Sequence, residues 1–294
     1  MPLNTFLPLL HEIHDTYEGS LYPAKPPSQN LGFLSPTSPS ITISIGSRDL
    51  TIQQSPGILS STRSGGTTGA VLWKVTPLFA NYLSTAQNPF FTHGVLSTRS
   101  SVLELGCGIS GVLGLTLGGR VRGYFLSDQG YVLKLLRRNL EENTPPPARR
   151  GGGGGKKGGN GMGMIKTLAL DWEKDRITRE HPVLKEGVPF DAVIACDCIY
   201  NESLVDALVE TLDDACRELS ASPRDDTLSQ AQEGAKTKPT LVIIVQELRS
   251  QEVFETWLER FHKSFHTYRI PDSLLTTEIN SSSGYSIHVG ILRD

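Results

Sequence analysis

The sequence VLELGCGISG, residues 102–111, combines an apolar strand pattern with a glycine-rich turn and a carboxylate. Gly106, Gly108 and Gly111 match the pattern G-x-G-x-x-G, in which glycines let the backbone approach a nucleotide at the start of a helix. Glu104 lies two residues before the first glycine, where a negative charge would repel a pyrophosphate and favour a cation. The pattern predicts a nucleoside cofactor with a positive charge, such as a sulfonium-bearing amino acid.

Two further predicted strands end in residues that could contact such a cofactor. Asp128 follows Gly106 by roughly 20 residues, as expected for a carboxylate that accepts hydrogen bonds from both ribose hydroxyls. The same residue, in the string SDQG, also fits a helix N-cap. Asp171 and Trp172 close the string LALDW, where a carboxylate could accept from an adenine amino group and an indole could cover its ring. A lone tryptophan is usually a core residue, so only its place at the carboxyl end of a strand favours binding.

The string ACDCIY places Asp197 and Tyr200 directly after another apolar strand. Both side chains could therefore line the mouth of a pocket at the carboxyl edge of a sheet. A D-x-x-Y string is common by chance, but it is far less common at this position of a strand. We interpret Cys107 and Cys198 as packing thiols.

The cysteines and histidines do not predict a metal site. Four cysteines are too few and too irregularly spaced for a disulfide framework, and Cys196 and Cys198 have no His or Cys pair nearby to complete a zinc site. His262 and His266 have the spacing of metal ligands on a helix, but a third ligand is missing from their vicinity. We expect reduced thiols and no bound metal.

An alternation of strand and helix patterns surrounds these residues. Strands are predicted at SVLELG, VRGYFLSD, MIKTLALDW, FDAVIACD and TLVIIVQEL, and helical patterns between most of them indicate a parallel sheet covered on both faces. HTYRIP and GYSIHVGIL follow the helical pattern VFETWLERFHKSF and should pair antiparallel at the sheet edge. Upstream, ITISI and LTIQQ predict a β-hairpin, and a helix is predicted from Trp73 or Thr76 onward.

Composition excludes several classes of protein. The 294 residues include 28 Lys and Arg against 31 Asp and Glu, for a formal net charge of −3, which excludes a strongly basic nucleic-acid clamp. No window approaches the ~20 consecutive apolar residues of a membrane span, and the first residues lack the basic region of a signal peptide. We therefore expect a cytosolic or nuclear protein, and of the two we assign it to the cytoplasm.

Together, ELGCGISG with Glu104, the strand ends LSD and LDW, the D-x-x-Y string and the upstream TTGAVLW resemble the seven-β-strand protein-lysine methyltransferases of the methyltransferase-16 group. The strings V-L-W-x-x-T-P-L-F-A, IYNE, VFETWLERFH and YRIPDSLL are similar to those of the fungal ribosomal protein lysine N-methyltransferases in that group. The resemblance spans about residues 41–292. It implies an α/β, Rossmann-like class I methyltransferase fold with a seven-stranded mixed sheet, S-adenosyl-L-methionine as cofactor, and a large-subunit ribosomal protein as substrate.

The resemblance also implies roles for individual residues. Asp197 and Tyr200 would border the lysine channel. Because lysine has a reference pKa of ~10.4, a channel of low polarity would help by disfavouring the charged amine. The implied contacts with S-adenosylmethionine are Trp73, Glu104, Gly106, Cys107, Gly108, Asp128, Asp171, Trp172 and the backbone at Cys196.

The resemblance and the composition divide the chain. Residues 1–40 are predicted to be a variable N-terminal segment, of which the first ~20 residues lie apart from the rest of the chain. Residues 41–294 would form the methyltransferase domain, beginning with the hairpin at 41–60. Two flexible inserts, 144–163 and 220–239, would interrupt it.

Other interpretations remain open. A methyltransferase could act on a small molecule or nucleic acid, although the sequence lacks N-P-P-Y and the D-x-x-Y string favours lysine. A binding module could keep the cofactor fold without turnover, and the intact acidic residues argue against that. A nicotinamide dehydrogenase is disfavoured by Glu104 and by the antiparallel ending. The expected partner is a protein substrate, without a membrane or direct nucleic-acid contact, and the chain is expected to be a monomer.

Overall fold

The computed structural model describes most of the chain, including every predicted site residue. The predicted inserts 144–163 and 220–239 lie almost entirely outside the described residues, so both stay predictions. Within the described part, none of the helices is both long and apolar enough to span a bilayer. The described residues are 2–16, 32–63, 66–144, 163–178, 180, 189–219 and 238–294.

Two β-sheets lie within the described residues. One has eight strands in the order β6-β5-β4-β7-β8-β10-β9-β1, and the other is the two-stranded hairpin β2-β3. The strands are β1 (His11–Ile13), β2 (Ser40–Ile45), β3 (Arg48–Gln53), β4 (Ser101–Leu105), β5 (Gly123–Asp128), β6 (Met164–Ala169), β7 (Ala192–Cys196), β8 (Leu241–Glu247), β9 (Phe265–Arg269) and β10 (Tyr285–Leu292).

The large sheet is mixed, as the sequence predicts. Strands β6, β5, β4, β7 and β8 pair in parallel, whereas β10, β9 and β1 complete the sheet by antiparallel pairing. The α/β fold, the antiparallel ending and the hairpin are confirmed. The strand order reverses between β4 and β7, and in an open sheet this position forms a crevice at the carboxyl ends of the strands.

The number of strands and the place of the N-terminus differ from the prediction. An eighth strand, β1, pairs with β9 through the register Ile13 to Thr267. Phe6 is fully buried and its ring lies 5.3 Å from that of Phe90. The prediction that the first 20 residues lie apart is therefore wrong for residues 2–16. A strand of three residues is too short to produce a recognisable alternation.

Helices cover both faces of the large sheet because its central strands are apolar on both sides. In β8, Ile243 and Val245 belong to the hydrophobic core under α3, α5 and α6, while Val242 and Ile244 belong to the core under α7 and α8. The helices are α1 (Pro2–Phe6), α2 (Pro56–Leu59), α3 (Val75–Ser84), α4 (Pro89–Thr92), α5 (Val112–Leu117), α6 (Leu133–Asn143), α7 (Val205–Leu219) and α8 (Gln251–Ser264).

The hairpin is fixed to the main body by a buried amide. Asn139 on α6 is fully buried, and its Oδ1 accepts a hydrogen bond from the backbone N–H of Gln53 at 2.8 Å. Its Nδ2 donates to the backbone oxygens of Gln53 at 2.9 Å and of Ile109 at 2.7 Å. One side chain thus joins the edge of the hairpin to the segment that follows the glycine-rich turn.

We predict that Asn139→Ala lowers the free energy of unfolding by about 1–3 kcal/mol, because it leaves buried backbone groups without partners. Denaturant unfolding followed by circular dichroism measures this. Asn81→Ala is the matched control, since Asn81 also binds the hairpin, at the Gly46 N–H, but is exposed. Equal losses for the two variants would show that the buried amide has no special role.

Candidate active site

The carboxyl ends of β4, β5, β6 and β7 meet around a pocket of about 490 Å³. This volume lies within the range of small-molecule sites, about 300–1,000 Å³. The sheet topology alone brings these strand ends together, although they are far apart along the chain. Of the predicted site residues, the following line the pocket: Trp73, Gly106, Cys107, Gly108, Asp128, Asp171, Trp172, Cys196, Asp197 and Tyr200.

The glycine-rich turn depends on left-handed backbone conformations. Gly106, Gly108 and Gly111 have φ angles of 66°, 61° and 61°. A Cβ atom on Gly106 would lie 2.8 Å from the sulfur of Cys198 and 3.0 Å from Cζ2 of Trp172. Both the backbone conformation and the lack of space therefore require glycine at position 106.

Asp128 ends β5 and points its carboxylate at the turn. Its Oδ2 accepts a hydrogen bond from the Gly108 N–H at 2.8 Å, and its Oδ1 accepts from the Gln129 N–H at 2.7 Å. Because a carboxylate oxygen accepts more than one hydrogen bond, both oxygens keep capacity for a ligand hydroxyl. Burial raises the pKa of Asp128 to about 6, against the two backbone donors, which lower it. The N-cap alternative is wrong, since α6 begins only at Leu133.

Glu104 is the predicted site residue that the structure does not bring to the pocket wall. Its side chain is buried within the sheet and accepts a hydrogen bond from the Tyr124 hydroxyl at 2.9 Å. Burial raises the pKa of Glu104 to about 8, although the Tyr124 hydrogen bond lowers it. At neutral pH this carboxyl group is mostly protonated, so it does not supply the negative charge assumed in the sequence argument. Its contact with a cofactor stays a prediction.

Aromatic residues form one wall of the pocket. Trp73 precedes α3, and its ring stacks near that of Tyr200, with a centroid distance of 6.2 Å and an interplanar angle of 22°. Thr68 connects the two residues: its carbonyl accepts from Trp73 Nε1 at 3.0 Å, and its hydroxyl donates to the Tyr200 hydroxyl at 3.1 Å. Phe33 packs on Trp73 with ring centroids 4.4 Å apart. Sequence reasoning missed Thr68 and Phe33.

Asp197 follows β7 in a conformation that is unusual for its residue type. Its φ is 61°, and among the described residues it is the one non-glycine residue with positive φ. Its carboxylate Oδ2 lies 2.5 Å from an Nη2 atom of Arg249, which also lies 2.9 Å from Glu247 Oε2. Burial raises the pKa of Asp197, and the Arg249 guanidinium opposes this rise. Arg249 was not predicted, because 52 residues separate it from Asp197.

Asp171 and Trp172 lie in the loop after β6. The Asp171 carboxylate accepts from Lys174 Nζ at 2.6 Å and from the Glu173 N–H at 3.2 Å. Trp172 is half-buried beside the Gly106 turn. The structure thus places an indole ring and a carboxylate on the side of the pocket next to Asp128, as the sequence predicts, and their contacts with adenine stay predictions.

The thiol groups that line the pocket are weak nucleophiles. Burial raises the pKa values of Cys107, Cys196 and Cys198 well above the usual thiol range, so the thiolate form is disfavoured. Cys196 Sγ lies 3.9 Å from the Thr76 hydroxyl. These contacts agree with packing roles. Within the described ranges, no three His, Cys, Asp or Glu side chains are grouped so that they could hold a metal ion.

Comparison with known proteins identifies the family. The sequence matches the lysine methyltransferase family model over residues 52–222, which is more than half of the chain and includes every residue that lines the pocket. The chain belongs to the lysine methyltransferase family. The resemblance drawn from its motifs is therefore confirmed at the family level.

The sequence of this lysine methyltransferase family member is similar to those of named relatives that differ in length. It is 32% identical over 242 residues to "Ribosomal lysine N-methyltransferase 5" of Zygosaccharomyces rouxii, covering 72% of this chain and 70% of the relative. It is 29% identical over 262 residues to "Diaminohydroxyphosphoribosylamino-pyrimidine deaminase" of Schizosaccharomyces pombe, covering 88% of this chain. The chain spans about half the length of that second relative, 52%.

One of the solved structures to which this chain is similar is that of a tRNA (uracil-54, C5)-methyltransferase of Pyrococcus abyssi in complex with S-adenosyl-L-homocysteine. The similarity has a TM-score of 0.42 and 11% sequence identity. It covers 87% of this chain and 45% of that chain.

We predict that Gly106→Ala weakens binding of S-adenosylhomocysteine, the product form of the predicted cofactor, at least about tenfold, equivalent to about 1.4 kcal/mol. The added Cβ would force Cys198 or Trp172 to move and would strain the left-handed backbone. Isothermal titration calorimetry measures the affinity, and circular dichroism checks folding. In the matched variant Gly119→Ala the new Cβ meets nothing within 4 Å. Wild-type affinity of Gly106→Ala would contradict the assignment of the turn.

Proposed function

We propose that this chain is an S-adenosylmethionine-dependent protein-lysine N-methyltransferase acting on a large-subunit ribosomal protein. One observation carries the proposal. The segment that matches the lysine methyltransferase family contributes every residue that lines the pocket. The glycine-rich turn and Asp128 lie on one side of this pocket, and Asp197 and Tyr200 lie on the other.

The cofactor side of the pocket suits a nucleoside. Asp128 keeps hydrogen-bonding capacity for the two ribose hydroxyls, and the turn at Gly106 has no Cβ atom, which would collide with Cys198 and Trp172. Trp172 offers a flat apolar surface for an adenine ring. When bound, S-adenosylmethionine would supply an activated methyl group. The protein residues bind and orient it, and no covalent nucleophile from the chain is needed.

The acceptor side suits an amine at the end of an alkyl chain. We assign Asp197 the role of attracting and orienting the amine, and Tyr200 that of a channel wall that packs on the lysine stem. The Thr68 hydroxyl fixes the Tyr200 hydroxyl, so the wall is held in place before the substrate arrives. Alignment of donor and acceptor, together with exclusion of water, is the main contribution that such a site makes to the rate. The apolar wall also disfavours the protonated amine.

The names of the relatives guide the choice of substrate. "Ribosomal lysine N-methyltransferase 5" is the name of relatives in both Zygosaccharomyces rouxii and Saccharomyces cerevisiae, and this supports a ribosomal substrate. The match to the lysine methyltransferase model includes the entire pocket lining, which favours methyl transfer over the deamination named for the longer Schizosaccharomyces pombe protein. With a ribosomal substrate, we assign the protein to the cytoplasm.

We predict that cofactor affinity depends on the ionisation of Asp128. Since its pKa is raised to about 6, the carboxylate form is present above pH 6 and is lost as the pH falls through this value. The dissociation constant of S-adenosylhomocysteine should therefore increase about tenfold between pH 7.5 and pH 5, as linkage requires when only the ionised form binds well. Calorimetry over this pH range measures it.

Asp128→Asn is the control for that pH dependence. It should bind more weakly by about 1–3 kcal/mol at pH 7.5, the range for a lost hydrogen bond to a charged group. Its affinity should change little with pH. A variant that keeps the wild-type pH profile would exclude Asp128 as the titrating group.

We predict that Asp197→Ala keeps cofactor binding but loses at least about 100-fold in methyl transfer, since the amine is no longer oriented. The purified chain is incubated with tritiated S-adenosylmethionine and large ribosomal subunits from cells that lack the enzyme, and labelled products are identified by mass spectrometry. The expected product is methyl-lysine in a protein.

Asp206→Ala, which removes an exposed aspartate paired with Arg260, is the matched control and should keep full activity. Label in RNA or in a small molecule would replace the proposed substrate class. Undiminished transfer by Asp197→Ala would remove that residue from the catalytic set.

A further inference from the structure

Arg249 lies two residues beyond the end of β8 and contacts two residues that line the pocket, Asp197 and Trp73. Its guanidinium pairs with Asp197 at 2.5 Å and with Glu247 at 2.9 Å. Its Cζ atom lies 4.9 Å from the centroid of the Trp73 ring, within the range of a cation–π interaction. One side chain thus touches the carboxylate and an aromatic wall residue of the pocket.

Gly32, in the N-terminal segment, packs closely against Arg249. Gly32 has a φ of 82°, and a Cβ atom there would lie 2.2 Å from Nη2 of Arg249 and 2.7 Å from Oε2 of Glu247. The segment is fixed to the pocket wall because the Gly32 carbonyl accepts from the Lys74 N–H at 2.8 Å. Arg249 is consequently 18% exposed in its side chain, and it is confined by backbone on one side and by the two carboxylates on another.

This arrangement is not the most stable that a buried site could have. Nε and Nη1 of Arg249 are buried and have no hydrogen-bond partner among the described residues. Unpaired buried donors are unfavourable, and apolar side chains can replace buried ion pairs without loss of stability. The charge at this position is therefore better explained by an effect on the pocket than by an effect on folding.

The hydrogen bonds of Asp197 indicate what that effect is. Arg249 occupies Oδ2, whereas Oδ1 has only a long contact of 3.5 Å with the Glu247 N–H. The ion pair thus fixes the orientation of the carboxylate and leaves Oδ1 with capacity for another donor. Asp197 itself has a φ of 61°, which an aspartate adopts at a cost in energy.

We propose that Arg249 is a positioning residue of the acceptor side, which fixes the Asp197 carboxylate so that the substrate amine meets it in a set geometry. This inference rests on the proposed function, because it assigns Asp197 to the amine. Arg249 itself does not touch the reacting atoms. A lysine at this position would keep the charge that pairs with the two carboxylates but would not place a planar group beside the indole.

The test compares Arg249→Gln and Arg249→Lys with the wild-type chain. Tritiated S-adenosylmethionine and large ribosomal subunits from cells lacking the enzyme are the substrates, and affinity for S-adenosylhomocysteine is measured by calorimetry. Arg249→Gln should lose on the order of 100-fold in turnover, as expected for a misplaced catalytic group. Its affinity for S-adenosylhomocysteine should stay within about threefold of wild type, and Arg249→Lys should recover at least about tenfold of the lost turnover. Arg138→Gln, which breaks an exposed ion pair with Glu142, is the matched control and should behave as wild type.

A double-variant cycle separates positioning from a merely structural role. If Arg249 acts through Asp197, Asp197→Asn with Arg249→Gln should be no more than about threefold slower than Asp197→Asn alone, because the two losses are not additive. Additive losses would overturn the proposal. Equal loss of turnover and cofactor affinity in Arg249→Gln would overturn it as well.

A structural measurement keeps the inference testable if the wild-type chain methylates nothing in the ribosomal assay. In that case the proposed function fails, and crystal structures of the wild-type chain and of Arg249→Gln, each with S-adenosylhomocysteine, decide the question of positioning. The proposal expects the Asp197 carboxylate to change its orientation in the variant. An unchanged carboxylate position would overturn it.

Discussion

Left-handed backbone at the ends of two neighbouring parallel strands is the constraint on which the pocket depends. Gly106 follows β4 with a φ of 66°, and Asp197 follows β7 with a φ of 61°. The two strands pair in parallel with Leu105 opposite Ala195, so both turns leave the sheet side by side. At the first turn, glycine removes the steric cost. At the second, an aspartate adopts a conformation that is rare for its residue type, and its carboxylate pairs with Arg249.

Burial gives the carboxyl groups of this region different chemical states. Asp128, with a pKa of about 6, is mostly ionised at neutral pH and can accept hydrogen bonds. Glu104, with a pKa of about 8, is mostly protonated because burial disfavours its charged form, although the hydrogen bond from the Tyr124 hydroxyl lowers the pKa. Asp197 has a guanidinium beside it. Three acidic residues that look equivalent in the sequence therefore serve as an acceptor, a buried neutral group and one half of an ion pair.

The sequence predicts the parts of this structure that depend on local patterns. Alternating and helical periodicities indicate the strands and helices of the sheet, and strand ends indicate which polar residues gather at one edge. It does not predict β1, which has only three residues, or the contacts of Thr68 with Tyr200, which are 132 residues apart. It also does not reveal the state of Glu104, because the position of a carboxyl group relative to a strand does not show how deeply the group is buried.

The wall that faces the strand ends is built from outside the sheet. Gln54, at the end of the hairpin, is buried, and its Oε1 accepts from the Leu72 N–H at 2.8 Å, directly before Trp73. Its Nε2 donates to the carbonyls of Ser35 and Ser38, each at 2.8 Å, so the same side chain also holds the segment that carries Phe33. The sheet edge thus presents the residues assigned to the acceptor and most of those assigned to the cofactor, while the segment between the hairpin and α3 presents Trp73. Because Arg249 contacts both parts, the relative position of the two sides depends on a small set of buried polar contacts rather than on the apolar core alone.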